Sequence, residues 1–206
     1  YYGTLKGMDE ETILKRLDEL LERFEIPQYK NTLIKELSKG NQQKVQFITA
    51  IINEPKLLIL DEPFSGLDPF NVEMFKSVIV EMAKKGSIII FSSHRMEHVE
   101  LFCKKIVILL NGKSVIEGNL ADIKRRYKKK NILIKGSIDP EEIRKIKGVV
   151  SVEEHALEYL VKIEDESITS KVFDKVKKVK DITKFELEDA SLNEIFVAKV
   201  GENYEK

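Results

Sequence analysis

The sequence is short of the features that would place it in a membrane, in an oxidising compartment or on nucleic acid. Its single cysteine, Cys103, excludes a disulfide framework and any metal centre built on several thiolates. No apolar run approaches the ~20 residues that a bilayer-spanning helix requires, and no secretory signal pattern opens the chain. Neither sign of charge is in excess, because 35 Lys plus Arg stand against 35 Asp plus Glu and the formal net charge is zero. That balance gives no support to a nucleic-acid binder working through bulk positive charge. A reduced cytosolic setting is the reading these absences predict.

What is present is enough for folding. At 206 residues the chain can hold one medium domain or two small ones. Hydrophobic residues make up 42%, ample for a core, and charged residues 34%, above the usual quarter or so. The Lys- and Glu-rich surplus fits a heat-adapted source. The chain opens on Tyr1 instead of Met, so a fragment of a longer protein is the expectation.

Residues 57–69 organise the rest. Leu57-Leu58-Ile59-Leu60 reads as a short strand buried on both faces, as inside a parallel sheet. Asp61 and Glu62 follow at its carboxyl end, where open α/β sheets place their ligands. Adjacent packed carboxylates repel and lose hydration, and a divalent cation beside one of them would relieve that. In phosphoryl-transfer sites a strand-end Asp holds Mg²⁺ while a neighbour orients the attacking water. Pro63 stops the strand, and Ser65-Gly66-Leu67-Asp68-Pro69 is turn chemistry. Taken by itself, the stretch also fits an ordinary strand with a solvated acidic turn.

Around it the chain alternates helix and strand. Asp9 can cap a helix with Ile13, Leu14, Leu17, Leu20, Leu21 and Phe24 on one face, ending near Ile26-Pro27. Ser38 can cap a second, carrying Val45, Ile48, Ile51 and Ile52. With Gly40 in its first turn, that helix start is also a candidate anion site. Val72, Phe75, Val78, Ile79 and Met82 mark a helix stopped by Gly86, and residues 87–91 form a second buried strand running into Ser92-Ser93-His94. A strand, a helix and a strand with polar groups at the carboxyl ends make a βαβ unit. His94 would share a sheet edge with Asp61 and Glu62. Asn111-Gly112 predicts a two-residue hairpin, and the basic run at residues 124–130 a solvated helix end leading into a linker. From Asn131 the pattern is β-α-β-β-α-β, the ferredoxin-like order, closed by a helix with a Ser191/Glu194 capping box. No catalytic constellation occurs there, and His155 is isolated and expected on a solvated turn.

These pieces, in this order and spacing, resemble the ATP-binding cassette of ABC transporters. Residues 37–45 look like the signature motif, 57–62 the Walker B strand, 65–68 the D-loop and His94 the switch histidine. The resemblance covers residues 1–125, with Lys39 and Asn41 in place of the commoner Gly and Gln. The small domain at residues 131–206 resembles one carried by sodium-extrusion and drug-resistance exporters. The implied fold is α/β: part of a P-loop NTPase domain, with a helical subdomain at 1–53 and a core at 54–125, followed by a small α+β ferredoxin-like domain.

The resemblance also implies roles. Asp61 would bind Mg²⁺ through its water shell, Glu62 would act as general base, and His94 would contact the γ-phosphate of ATP. Ser38, Lys39, Gly40, Asn41 and Gln42 would grip a nucleotide held by a second cassette subunit, and Asp68 would cross that dimer interface. Transmembrane permease subunits would be the other partners, at the inner face of the cell membrane, with no nucleic acid involved. One departure stands out: no G-x-x-x-x-G-K-[ST] sequence occurs, and Gly3 and Gly7 do not make one. The glutamine loop is missing as well, so this chain is expected to be inactive alone. Two other readings compete. The first is a non-catalytic interaction protein. The second is a chromosome-maintenance or DNA-repair ATPase, although these carry a long coiled coil before the signature and only one amphipathic helix stands here.

Overall fold

A computed structural model describes residues 1–156 and 158–204, with side chains through residue 201. The chain forms two compact units, Tyr1–His94 and Arg95–Lys206.

The first unit contains α1 (Tyr2–Leu5), α2 (Glu10–Arg23), α3 (Lys39–Ile51), β1 (Leu57–Asp61), α4 (Pro69–Lys84) and β2 (Ile88–Ser92). Local chemistry sets the helix limits. Asp9 Oδ1 accepts from Thr12 N–H at 2.8 Å, and Ser38 Oγ accepts from Asn41 N–H at 3.4 Å. Gly86 follows α4 in the left-handed region at φ 99°. The interior centres on three rings: Phe47 stacks on Phe75 at 4.5 Å, and Phe24 meets both edge-on at 5.7 and 5.3 Å. Together they tie α2, α3 and α4 into one body. Lys44, 7% exposed, turns inward and donates to the Phe24 carbonyl at 3.0 Å, satisfying an orphan acceptor at the end of α2.

β1 and β2 pair in parallel, with Leu57 opposite Ile88 and Asp61 opposite Ser92. The expectation that both strands are buried on both faces is corrected here. Leu58 is 4% exposed, whereas Leu57, Ile59, Ile88 and Ile90 are 50–69% exposed. Within this unit the helices cover one side of the two-stranded sheet, and the other side carries these exposed side chains.

The second unit contains α5 (Met96–Phe102), β3 (Lys105–Leu110), β4 (Lys113–Asn119), α6 (Leu120–Arg126), β5 (Lys130–Lys135), α7 (Pro140–Arg144), β6 (Val149–His155), β7 (Glu158–Ile163), α8 (Thr169–Val176), β8 (Lys184–Asp189) and α9 (Leu192–Tyr204). Asn111 and Gly112, at φ 50° and 76°, turn β3 into β4 as the Asn-Gly pair predicted. Strands β5 to β8 form an antiparallel sheet in the order β6-β7-β5-β8, which is the ferredoxin-like arrangement. Its core is wholly enclosed, with Ile132, Ile134, Val161 and Ile163 meeting Val172 and Val176 of α8.

The hairpin β3–β4 shares a second core with the last helix, where Ile106, Ile108, Ile116 and Leu120 pack with Leu192 and Ile195. By cohesion the hairpin therefore groups with the C-terminal elements. The predicted linker is also corrected. Only residues 127–129 separate α6 from β5, and Lys130, 8% exposed, is paired with Asp189 at 2.6 Å. A buried cation needs such a partner, so this end of the basic run is structural. His155 is exposed at the end of β6. Among the described residues no helix is long and apolar enough to cross a membrane.

Candidate functional site

Parallel pairing brings the carboxyl ends of β1 and β2 side by side, and the side chains there engage one another. Ser92 Oγ donates to Asp61 Oδ1 and accepts from Glu62 N–H at 3.3 Å. The Glu62 amide also reaches the Ser92 carbonyl at 3.2 Å. These contacts hold Glu62 at φ 45°, a conformation that non-glycine residues adopt at a cost and mostly where surroundings over-determine them. The turn aims the Glu62 carboxylate at His94. Oε1 accepts from the His94 backbone N–H at 2.7 Å and lies 2.7 Å from His94 Nδ1. With the proton on Nδ1, the ring donates to Glu62 and keeps Nε2 as its other nitrogen. Glu62 is 33% exposed and His94 74%, so the pair faces solvent at the sheet edge.

The start of α3 is tied to the same edge. Gln43 Nε2 donates to the Pro63 carbonyl at 2.8 Å, joining the helix to the turn just after Glu62. Gln42 folds back to the Leu37 carbonyl at 3.0 Å. Ser38 caps the helix, and Lys39, Gly40 and Asn41 form its first turn. A Cβ added at Gly40 would meet nothing within 4 Å, so packing inside this chain does not require glycine there. The open space suits a group that approaches the backbone from outside. Asp68 sits apart as the N-cap of α4. Asn71 N–H donates to one of its oxygens at 2.9 Å and Asn71 Nδ2 to the other at 2.5 Å. The Asn71 backbone hydrogen bond, followed by the side-chain one, lowers the Asp68 carboxyl below its usual range.

Thus Asp61, Glu62 and His94 come together, the Ser38–Gln42 turn is joined to them through Gln43, and Asp68 closes the loop that leaves the site. Ser92 and Gln43 were not singled out from sequence. Ser92 becomes visible only once Asp61 and Ser92 are aligned as register partners, and Gln43 only once its reach to Pro63 is known.

Among the described residues no group of three or more His, Cys, Asp or Glu is arranged to hold a metal. Mg²⁺ beside phosphates is held through one or two carboxylates and several waters. Asp61 at the strand end fits such a role.

The family model described as ABC transporter matches residues 4–65. An ABC transporter ATP-binding protein of Alkalihalophilus pseudofirmus is 44% identical over 204 residues, which are 99% of this chain and 76% of that protein. The ABC transporter ATP-binding protein YhaQ of Bacillus subtilis is 46% identical over 205 residues, covering 100% and 69%. The chain belongs to the ABC transporter ATP-binding protein family. The ATP-binding subunit of an ABC transporter, solved as a structure, superposes with a TM-score of 0.58 at 35% identity, over 61% of this chain and 52% of its own. The chain thus spans about half of that subunit, and the family-model match at residues 4–65 lies within its first unit. The model described as "ATP-binding protein DrrA1-3-like, C-terminal domain" matches residues 118–200, which include the ferredoxin-like sheet.

Proposed function

We propose that this chain is the C-terminal portion of an ATP-hydrolysing transporter subunit, in which Glu62 and His94 do the chemistry of water activation. The observation that supports this is the pair of 2.7 Å contacts joining His94 N–H and Nδ1 to one oxygen of Glu62. A carboxylate fixed in this way is oriented to take a proton from an attacking water, and the second imidazole nitrogen is left for a phosphate oxygen. Asp61 is the residue for Mg²⁺, which supplies charge neutralisation between phosphates. The backbone N–H groups at the start of α3, with Ser38 to Gln42, suit the γ-phosphate of ATP bound by a second cassette subunit. Asp68 lies on the loop that would meet that subunit.

The partners in this reading are a second cassette subunit and transmembrane permease subunits, with the chain on the cytoplasmic face of the membrane and no nucleic acid. Residues 1–125 serve the ATPase and residues 131–206 an accessory role. Transport outward from the cell is the direction in this reading, carried over from the resemblance of residues 131–206 to the domain of sodium-extrusion and drug-resistance exporters.

The chain as given carries no G-x-x-x-x-G-K-[ST] sequence. Its site offers two carboxylates and an imidazole to a polyanion, without the ring of N–H groups and the Lys that such a loop supplies. The 206 residues alone are therefore expected neither to bind Mg-ATP tightly nor to hydrolyse it. Calorimetric titration with Mg-ATP, together with phosphate release by the chain alone and mixed with a full-length cassette, tests this reading. Micromolar binding by the chain alone, with turnover that disappears in Glu62→Gln, would overturn the expectation that it is inactive without such a loop.

A further inference from the structure

We infer that Ser92 is a positioning residue for Asp61, tying one carboxylate oxygen so that the other is presented to the water shell of Mg²⁺. The inference rests on the assignment of Asp61 to Mg²⁺ made above, and Ser92, Asp61 and Glu62 all belong to the first unit. Parallel pairing makes Asp61 and Ser92 register partners at the carboxyl ends of β1 and β2. Side chains alternate along a strand. Asp61 therefore shares its face with exposed Leu57 and Ile59, and Ser92 shares the same face with exposed Ile88 and Ile90. The two stand side by side where this unit leaves the sheet open to water. Ser92 Oγ donates to Asp61 Oδ1, and a hydroxyl bonded to a carboxylate is of the stronger, charge-assisted kind. Among the described residues no hydrogen bond or ion pair engages the second oxygen, Oδ2.

A serine hydroxyl carries one proton and two lone pairs. Its proton goes to Asp61, and a lone pair accepts from the Glu62 N–H at 3.3 Å. That N–H also reaches the Ser92 carbonyl at 3.2 Å, so Glu62 at φ 45° keeps a backbone anchor whatever side chain stands at position 92. Loss of the hydroxyl thus falls mainly on Asp61. A carboxylate on an exposed strand end otherwise turns among its staggered rotamers, and ordering it costs side-chain entropy. Ser92 selects one rotamer before a cation arrives. Mg²⁺ demands near-ideal octahedral geometry and keeps several waters, so the direction of the accepting oxygen counts. Removing a partner that orients a metal-holding carboxylate typically costs about 10–100-fold in metal affinity. With water between Asp61 and the metal, the lower end of that range applies.

The first arm of the test uses the 206-residue chain with neither metal nor nucleotide. Three-bond NMR couplings from the Asp61 backbone nitrogen and carbonyl carbon to Cγ read its χ1. A single rotamer is expected in the wild type and in Ser92→Thr, which retains a hydroxyl. Ser92→Val has the shape of the Thr variant without the hydroxyl and suits a strand equally. There the couplings should collapse to a rotamer average. Couplings that are the same in Ser92→Thr and Ser92→Val would overturn the inference. Should Ser92→Val not fold, Ser92→Ala is read in the same way. The second arm uses a longer cassette that carries these residues with a P-loop, and reads the Mg²⁺ concentration for half-maximal ATP turnover. Ser92→Val should raise it about tenfold, and Ser92→Thr should restore it. Asp61→Asn in the same cassette keeps the two assignments apart. A magnesium requirement untouched by Asp61→Asn would sink the assignment of Asp61 to Mg²⁺, and the inference with it. A requirement that moves with Asp61→Asn but not with Ser92→Val would overturn the role of Ser92 alone.

Discussion

The backbone N–H and the ring Nδ1 of His94 converge on a single oxygen of Glu62, each at 2.7 Å. Glu62 is therefore oriented before any nucleotide arrives, and neither contact uses its other oxygen. In a longer cassette that carries these residues with a P-loop, Glu62→Gln preserves an acceptor for the His94 N–H but removes the base. ATP binding should stay close to wild type and turnover should fall by about 10²–10⁴. Phosphate release at saturating ATP measures it, and near-normal turnover would take Glu62 out of this role.

Ser38 separates a capping role from a ligand role. Its Oγ lies 3.4 Å from the Asn41 N–H, a long capping bond, so Ser38→Ala should cost at most about 1 kcal/mol of stability. Ser38→Arg in the same longer cassette should abolish turnover while leaving the nucleotide affinity of a monomer unchanged, because the phosphate it serves belongs to the other subunit. Equilibrium binding of a fluorescent ATP analogue checks this. A parallel loss of monomer affinity would assign Ser38 to the cap alone.

Five charges cross between α2, the end of α3 and α4. Arg16 and Lys85 reach Glu54 at 3.2 and 3.3 Å, and Arg23 and Lys85 reach Glu81 at 2.6 and 3.0 Å. The Arg16 hydrogen bond, then Lys85, lowers the Glu54 carboxyl, and Arg23, then Lys85, lowers that of Glu81. Depressed carboxyls stabilise the fold above their unfolded value of 4.5, and that contribution is lost as pH falls through the folded values. The raised Lys85 ammonium acts in the opposite sense, contributing below 10.5 and losing its effect only at higher pH. The melting temperature of Lys85→Met should thus lie below wild type at neutral pH, with the gap closing as the solution is acidified below about pH 4. High salt should narrow it as well, since these groups are partly exposed. A gap independent of both pH and salt would mean that Lys85 acts through its aliphatic stem.

Gly136 tests the second unit. It sits at φ 147°, and a Cβ there would come within 2.8 Å of the Asp181 carbonyl and 2.9 Å of Ile182. Gly136→Ala combines a strained backbone with a clash against main chain, and roughly 1–3 kcal/mol of destabilisation is expected. Thermal unfolding monitored at Phe185 or Ile134 would show it, and an unchanged transition would mean that the 135–137 turn relaxes freely.

Much of this was readable because the chemistry is local. Asp9, Ser38, Asn111-Gly112 and Ser191/Glu194 act on backbone within four residues of themselves, so their sequence spacing is already their geometry. The strand-end placement of Asp61, Glu62 and His94 was legible because a βαβ unit leaves little choice of where its carboxyl ends lie. What stayed hidden depends on distant partners. Lys130 finds Asp189 59 residues away, and Glu100 finds Leu192 92 residues away. No local pattern encodes either. The outer face of β1 was misread for a related reason. Four consecutive aliphatic residues show no alternation, so the sequence alone does not say whether one side or both are covered.

The bare side of the β1–β2 sheet has a consequence for colloidal behaviour. Leu57, Ile59, Ile88 and Ile90 form an aliphatic plate beside a parallel pair that has no third strand among the described residues. Unpaired edge amides next to an apolar face act as a template for strand addition. With no net charge to keep molecules apart near neutral pH, self-association should become the dominant process as concentration rises. Light scattering should therefore grow more steeply than linearly with protein. A charged substitution at Ile59 or Ile90, both open to water here, should suppress that growth while leaving the helical side of the unit folded.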